Sequence, residues 1–316
     1  MDGVEAYIDH QDIPGVNNAQ LEQSNEQIFT TGKVFYAGQA IGLILANNLE
    51  LAHKAARAVK VTYKNQEKPI LGIREALELA PETIKVNPPV KIGDINESMK
   101  KAIGDVKIIE GEFEVGSQYH FYMETQTVLV RPAEKGQLDV VSATQHLDTV
   151  QRTVAQALGI PQNKINVECK RVGGAYGGKV CHAGFTAAAA AVAATKLKRP
   201  VRLHMDLKSN MDILGMRHAF LARYRAGVDE VGKVLFVSMS FFSDSGFSYT
   251  GDTSALAEMH GKNCYAVTSW EINTATVLTN IGNVQLFSNR CIFIQNLVRM
   301  KRDKNWDQNR RFEFYF

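Results

Sequence analysis

The 316-residue sequence lacks paired cysteines, since its four cysteines (Cys169, Cys181, Cys264 and Cys291) lie far apart with no C-x-x-C motif. Zinc and iron–sulfur sites usually take their ligands from closely spaced cysteine pairs, so neither kind of site is expected. A disulfide framework is equally unexpected in a chain this long with so few cysteines. The sequence therefore predicts free or buried thiols.

The sequence also lacks the run of roughly eighteen apolar residues that a membrane span requires. It begins MDGVEAYIDHQ, which is acidic and contains no apolar core of a signal peptide. Hydrophobic residues make up 45% and charged residues 22% of the chain, as is usual for a soluble globular protein. These absences predict a cytoplasmic protein with no membrane partner.

There is little net charge, and the excess of +3 is confined to one segment. Gln285–Phe316 holds seven Lys/Arg and three Asp/Glu, a net of +4, which leaves 3 − 4 = −1 for the remainder. The chain as a whole therefore carries no basic field for nucleic acid, and none is predicted as a partner. The divergent tail, residues 281–316, is basic and aromatic; we interpret it as a truncated, alternatively spliced or out-of-frame ending, and binding to nucleic acid or an acidic surface is the alternative.

The pattern along the chain predicts an α+β protein with two domains. Residues 1–79 have the pattern of a β-α-β unit, whose second strand is VKVTYK, Val59–Lys64. Residues 80–106 hold several prolines and little periodicity, which indicates a linker. Residues 107–280 combine alternating segments with two helices, and the alternation over residues 107–132 suggests long antiparallel strands. The first helix has an apolar stripe ending at Gly159, and the second is rich in alanine.

The segment KRVGGAYGGKV, Lys170–Val180, is expected to join a strand to the alanine-rich helix. Amides before a helix favour negative charge, and glycines let a ligand approach the backbone, so the loop predicts an anion or cofactor site. A packing turn is the alternative. Residues 173–179 also fit the phosphate-loop pattern G-x-x-x-x-G-K, but Val180 replaces the hydroxyl residue that holds magnesium. A phosphate- or nucleotide-binding protein therefore stays a second hypothesis.

Several segments in order resemble the aldehyde oxidase/xanthine dehydrogenase family of molybdenum hydroxylases. RVGGAYGGKV is similar to the family's GGxFGGK, GSQYHFYMETQ to GGQEHFYLETQ, and RHAFLARYRAG to RHPFLARYKVG. The stretch GKVFYAGQAIGLILANNLELAHKAARAVKVTY resembles the family's α/β hammerhead domain. After Thr279 the sequence departs from the family's PSNTAFRGFG, so the arginine that faces the substrate has no counterpart. The resemblance implies a hammerhead domain followed by the first, incomplete molybdopterin-binding domain.

The resemblance also implies the cofactor, a molybdenum held by molybdopterin rather than by protein side chains. Its contacts would be Gln145 together with Tyr176 and Gly177, where the tyrosine replaces the usual phenylalanine. Val180 would line the substrate pocket, and an apolar residue there implies aldehydes or apolar heterocycles rather than xanthine. His120 and Glu124, four residues apart, suggest a metal pair, but without a third ligand a hydrogen-bonding histidine is expected instead.

For the complete enzyme, the resemblance implies hydroxylation of small-molecule aldehydes or aromatic heterocycles with water as the oxygen source. It further implies a homodimer with 2Fe–2S clusters and FAD, on domains that this chain does not contain. The family's glutamate base would likewise lie outside the chain, so no catalytic residue is assigned. We expect an N-terminally clipped fragment that is inactive alone, and whether the chain by itself is an enzyme stays open. A non-catalytic product that binds its full-length relatives is a third hypothesis.

Overall fold

The computed structural model describes residues 1–19, 25–214, 216–249, 262 and 266–282, and these form an α+β fold, as the sequence predicts. The strands are β1 (Val4–Ile8), β2 (Leu43–Ala46), β3 (Ile84–Val86), β4 (Val90–Ile92), β5 (Lys107–Val115), β6 (Thr127–Pro132), β7 (Leu138–Ser142), β8 (Ile165–Glu168), β9 (Val201–His204), β10 (Phe220–Val228), β11 (Val234–Asp244) and β12 (Ser269–Val277). The helices are α1 (Leu49–Ala58), α2 (Ile73–Leu79), α3 (Ile95–Lys100), α4 (Leu147–Leu158), α5 (His182–Leu197) and α6 (Leu207–Ile213). Most of the basic tail lies outside the described residues.

The N-terminal unit pairs β1 with β2 in an antiparallel ribbon, and α1 follows directly. Asn48 caps the start of α1, because its side chain accepts a hydrogen bond from the N–H of Leu51. The expected strand Val59–Lys64 is wrong, since these residues form no strand and Val59, Val61 and Tyr63 are exposed. An alternating pattern forms a strand only where a neighbour completes its hydrogen bonds, and no described strand pairs with this segment.

The stretch 80–106, interpreted from sequence as a linker, instead contributes to the larger sheet. Both β3 and β4 pair antiparallel with β12, and Asp94 caps α3 between β4 and β5. Their partner strand lies about 180 residues further along the chain, so the pattern within residues 80–106 does not predict these pairings. The linker interpretation is therefore corrected for this range.

The six-stranded sheet has the order β3-β12-β11-β10-β5, with β4 also beside β12. Its β11 and β12 are parallel, whereas β10 is antiparallel to both β11 and β5. The strands expected over residues 107–132 are present as β5 and β6, which lie in different sheets with an interruption between them, since residues 116–126 form neither strand nor helix. That interruption carries the chain from β5 in this sheet to β6 in the next one.

The second sheet, in the order β8-β7-β6-β9, supports the two predicted helices. Helix α4 ends at Gly159, which adopts the left-handed conformation with φ 66°. Of its predicted apolar stripe it buries Val150, Val154 and Leu158, whereas Leu147, in the first turn, is exposed. The small side chains of α5 allow close packing, and Ala187–Ala194 is buried throughout. No helix among the described residues has the length and apolar character needed to cross a bilayer.

Candidate functional site

The site lies where two neighbouring parallel strands end. Strands β7 and β8 run parallel, with Val141 opposite Glu168, so the segments that follow them emerge at the same edge of the sheet. Gln145 comes just after β7, and the glycine loop, residues 170–180, follows β8 and leads into α5. The expected strand–loop–helix context is confirmed.

Gln145 is hydrogen-bonded directly to the glycine loop. Its side-chain Oε1 accepts from the main-chain N–H of Gly177 at 3.1 Å and of Lys179 at 3.3 Å. Its own N–H donates to the carbonyl of Lys179 at 2.9 Å. The structure therefore brings together Gln145 and the Tyr176–Gly177 step, residues that lie more than thirty positions apart in the sequence.

Several hydrogen-bond donors at the loop find no acceptor within the part of the chain that the structure describes. Because Oε1 of Gln145 faces the loop, its Nε2 amino group points away from those two amides, and the residue is exposed. Within the described part of the chain, that amino group and the N–H groups of Gly174, Ala175 and Tyr176 donate to no other residue. A ligand rich in oxygen, sulfur or phosphate acceptors matches a set of donors of this kind.

Tyr176 forms the exposed tip of the loop in an uncommon conformation. Its φ is 50°, in the left-handed region that a non-glycine residue rarely adopts, and its side chain is 65% exposed. His120 Nδ1 lies 3.1 Å from the carbonyl oxygen of Tyr176. Burial lowers the pKa of His120 to about 4, so the ring is neutral at pH 7 and Nδ1–H is the donor to this carbonyl. A hydrogen-bonding histidine was the expected role.

The loop glycines are explained largely by contacts inside the protein. A Cβ at Gly173 would lie 2.7 Å from Cβ of Glu124, and one at Gly178 would lie 2.7 Å from the ring of Tyr122. Gly177 has φ 94°, a conformation that strains any L residue. The packing-turn alternative thus accounts for these three glycines, whereas the donors of Gln145 and residues 174–176 are the feature suited to a ligand.

Lys179 does not resemble a phosphate-binding lysine. Its side chain is 0% exposed, and its ammonium lies 2.7 Å from Oε2 of Glu124. A phosphate-loop lysine must reach the phosphates, and the next residue must supply a hydroxyl for magnesium, which Val180 lacks. No observation therefore favours the nucleotide-binding hypothesis for residues 173–179.

Side chains alone supply no metal site in the described part of the chain, where no three or more His, Cys, Asp or Glu residues cluster suitably. His120 is hydrogen-bonded to the carbonyl of Tyr176. Glu124 is bonded to Lys179 and to the N–H of Gly173. Both side chains are thus engaged in contacts with the loop and not in a metal pair. Val180 is half-buried at the end of the loop, and its N–H lies 3.4 Å from the carbonyl of Gly177. Its contact with substrate stays a prediction.

Sequence reasoning missed the polar support below the loop. Gln126 is fully buried, and its Nε2 donates to the carbonyl of Gly178 at 2.9 Å. Asn210 in turn accepts from the N–H of Gln126 at 2.9 Å and from the hydroxyl of Tyr122 at 3.2 Å. The one available signal was the alternation of polar or aromatic side chains at positions 120, 122, 124 and 126, and it was interpreted as a strand.

The start of α5 contacts the N-terminal unit through buried polar groups. His182 Nε2 lies 3.8 Å from Oε1 of Glu26, and both side chains are almost fully buried. Burial, reinforced by the charge of Glu26, raises the pKa of Cys181 to about 11, so this thiol is not reactive at neutral pH. Cys169 and Cys181 are free, as expected, and Cys264 and Cys291 lie outside the described residues.

Two family models match the chain. One describes a molybdopterin cofactor-binding domain and matches residues 78–291, and the other describes the aldehyde oxidase and xanthine dehydrogenase a/b hammerhead domain and matches residues 1–67. The class of protein is thus one with a hammerhead domain followed by a molybdopterin-binding domain. The chain belongs to the aldehyde oxidase and xanthine dehydrogenase family.

Individual relatives agree with the family models. Xanthine dehydrogenase of Dictyostelium discoideum is 34% identical over 288 residues, covering 90% of this chain and 21% of that protein. Human aldehyde oxidase is 37% identical over 249 residues, covering 78% of this chain and 18% of that protein. The chain therefore spans about a fifth of the length of the curated relatives it matches.

Solved structures show the same fold. The aldehyde oxidoreductase of Desulfovibrio gigas superposes with a TM-score of 0.76 at 21% identity, covering 91% of this chain and 33% of that one. Quinoline 2-oxidoreductase of Pseudomonas putida 86 gives the same TM-score and identity, covering 91% and 38%. At this identity the likeness concerns the fold alone.

Proposed function

We propose that Gln145 and the glycine loop hold the molybdenum–molybdopterin cofactor of an oxidoreductase that hydroxylates aldehydes or aromatic heterocycles. The observation that carries this proposal is the orientation of Gln145. Its carbonyl oxygen is bound by the N–H groups of Gly177 and Lys179, so its amino group points outward as a donor. Family membership supplies the identity of the cofactor.

The residues at the site fit such a group. The amino group of Gln145 and the N–H groups of residues 174–176, which have no acceptor among the described residues, are all donors, whereas oxo, sulfido and phosphate groups are acceptors. When bound, the molybdenum centre supplies the redox chemistry, with water as the source of oxygen. The chain's own contribution is to orient the cofactor, and none of Gln145, Tyr176, Gly177 or Val180 is an acid–base residue.

The substrate class that we propose follows from Val180. Its side chain offers no hydrogen bond to a purine, so an apolar aldehyde or azaheterocycle suits this pocket wall better than xanthine. Val180 stands directly before α5 and beside the Gly177 carbonyl, next to the proposed cofactor contacts. The proposed preference therefore depends on a single side chain.

The remaining features of the complete enzyme are proposals from family membership. We propose 2Fe–2S clusters and FAD on other domains, a cytoplasmic homodimer, and neither nucleic acid nor a membrane as a partner. The carboxylate bonded to the loop, Glu124, is engaged by Lys179 and Gly173 and is not available as a base. We therefore expect the 316-residue chain to show no turnover of benzaldehyde with a dye as electron acceptor. Robust turnover would contradict this expectation.

The test is cofactor retention by the purified chain from a host that makes molybdopterin. Molybdenum is counted by mass spectrometry, and pterin is measured by fluorescence after oxidation. We expect both in the wild type, and at least about tenfold less in Gln145→Ala, since that variant loses both the donor and its hold on the loop. Equal retention by the two proteins would contradict the role of Gln145, and absence of both from the wild type would contradict the cofactor assignment.

A further inference from the structure

Lys179 is a cation enclosed by the protein. Its side chain is 0% exposed, its ammonium lies 2.7 Å from Oε2 of Glu124, and it also lies 4.8 Å from the ring centre of Tyr122. A buried charge is tolerated only when it is paired and hydrogen-bonded, so Glu124 is required for Lys179 to occupy this place. The pair lies at the edge of the core, because the side chain of Glu124 remains 36% exposed.

One oxygen of Glu124 joins the two ends of the glycine loop. Oε2 accepts from the ammonium of Lys179 and, at 2.9 Å, from the N–H of Gly173. Burial raises the pKa of Glu124, but the hydrogen bonds from Lys179 and Gly173 outweigh it and leave the pKa below its usual range. The carboxylate is therefore charged at neutral pH and holds residue 173 and residue 179 together.

The position of Lys179 also determines the position of Gln145. The N–H of Lys179 donates to Oε1 of Gln145, and the carbonyl of Lys179 accepts from the N–H of Gln145 and from the hydroxyl of Thr144. A shift of this residue would therefore displace the carboxamide whose amino group faces outward. The ion pair thus acts on the site through the backbone, without touching a ligand itself.

We propose that Glu124 and Lys179 are positioning residues, which close the loop at its two ends and so fix the direction in which Gln145 presents its amino group. What that amino group binds rests on the proposed function. The positioning itself does not, because it is a property of the chain without ligand and is measured there.

The experiment uses the isotope-labelled 316-residue protein and compares Lys179→Met and Glu124→Gln with the wild type by NMR. Methionine keeps the stem packed on Tyr122 but removes the ammonium. We expect exchange of the Gly177 amide to accelerate by at least about tenfold and the side-chain amide resonances of Gln145 to shift, while the Val130 amide in β6 stays protected. Unchanged Gly177 exchange and unchanged Gln145 resonances in both variants would overturn the proposal.

One control and a second test variant separate positioning from general destabilisation. Lys91→Met removes the exposed ion pair with Glu271, 3.2 Å long and remote in the sequence from the loop, and should leave Gly177 unaffected. Glu124→Gln keeps the shape of the side chain and an oxygen for the N–H of Gly173, so it carries the test if Lys179→Met does not fold. An equal effect of Lys91→Met on Gly177 would overturn the proposal.

A pH series gives a measurement that would not change if Glu124 acted only through its shape. The contribution of a carboxylate with a lowered pKa is lost as pH falls through that pKa, so protection of Gly177, corrected for intrinsic exchange, should decline with acid in the wild type. His120, which bonds the Tyr176 carbonyl, also protonates in acid, but it is present in Glu124→Gln as well. A smaller decline in Glu124→Gln supports the proposal, and identical declines overturn it. A failure of cofactor retention would leave both results intact.

Discussion

The carboxamide oxygen of Gln145 accepts from the N–H of Gly177 at 3.1 Å, and this contact, together with that from the N–H of Lys179, orients the carboxamide. It fixes which end of the carboxamide meets the loop and which end faces outward. Neither fact is visible in the sequence, where the two residues stand 32 positions apart. The first prediction uses a substitution that keeps the oxygen of this carboxamide and removes its amino group.

Gln145→Glu should keep the fold but weaken cofactor binding. A glutamate retains an oxygen that accepts from Gly177 and Lys179, whereas it replaces the outward amino group by a charged acceptor. We expect an unchanged melting temperature and at least about tenfold weaker binding of isolated molybdopterin cofactor, measured by pterin fluorescence. Gln162→Glu, an exposed residue with the same change of charge, is the control. Equally tight binding to the Gln145 and Gln162 variants would contradict the donor role.

Gly178→Ala should destabilise the protein without any ligand present. The added Cβ would lie 2.7 Å from the ring of Tyr122 and 2.8 Å from that of His120, so both rings must move. Overpacking of this kind costs about 1–3 kcal/mol in the free energy of unfolding, measured by chemical denaturation. Gly116→Ala is the matched control, because no atom lies within 4 Å of its added Cβ. A loss at Gly178 no greater than at Gly116 would show that the loop is not tightly packed.

The parts of the fold that the sequence predicts are those with local causes. Helix α4 has its apolar stripe and Gly159 at its end, and the loop at residues 170–180 lies between a strand and a helix as expected. Strands β3 and β4 were missed because their partner β12 is remote in the sequence. The opposite error occurs at Val59–Lys64, where the alternating sequence predicts a strand. The segment is exposed, and no strand in the described structure pairs with it.

The contacts of the candidate site likewise depend on residues that are remote in the sequence. The placement of Gln145 beside Gly177 was predicted through family resemblance, not from local pattern. The Glu124–Lys179 pair spans 55 positions, and opposite charges at that separation carry no signal in a single sequence. Without the fold, a lysine after two glycines suggests a phosphate ligand, whereas the structure buries its ammonium.

The buried ammonium of Lys179 predicts that the protein does not bind nucleotides through this loop. To reach a phosphate, the lysine would have to leave Glu124 and expose a side chain that is now fully buried. We therefore expect no saturable binding of magnesium–ATP by calorimetry. Magnesium-dependent binding that disappears in Lys179→Ala would contradict this prediction and restore the phosphate-loop hypothesis.

Acid should destabilise the protein partly through His218. This side chain is buried, and Nδ1 lies 2.6 Å from the carbonyl oxygen of Asp244, while burial lowers the pKa of His218 to about 4. An unfolded histidine titrates near 6.5, so as pH falls from there towards 4 the unfolded state gains a proton that the native state does not. The native state is thus penalised across that window by up to about 3 kcal/mol, and the penalty is absent above it.

His218→Asn tests this contribution, because the asparagine amide can replace Nδ1–H as the donor to the Asp244 carbonyl without titrating. We expect the variant to lose less stability than the wild type between pH 7 and pH 4, measured as the free energy of unfolding in urea. Burial raises the pKa of the Asp244 carboxyl, which opposes the trend, but that group is present in both proteins. His182, with a pKa lowered to about 4 by burial, keeps part of the acid sensitivity in the variant. Parallel pH profiles for the two proteins would mean that His218 is not held neutral by burial.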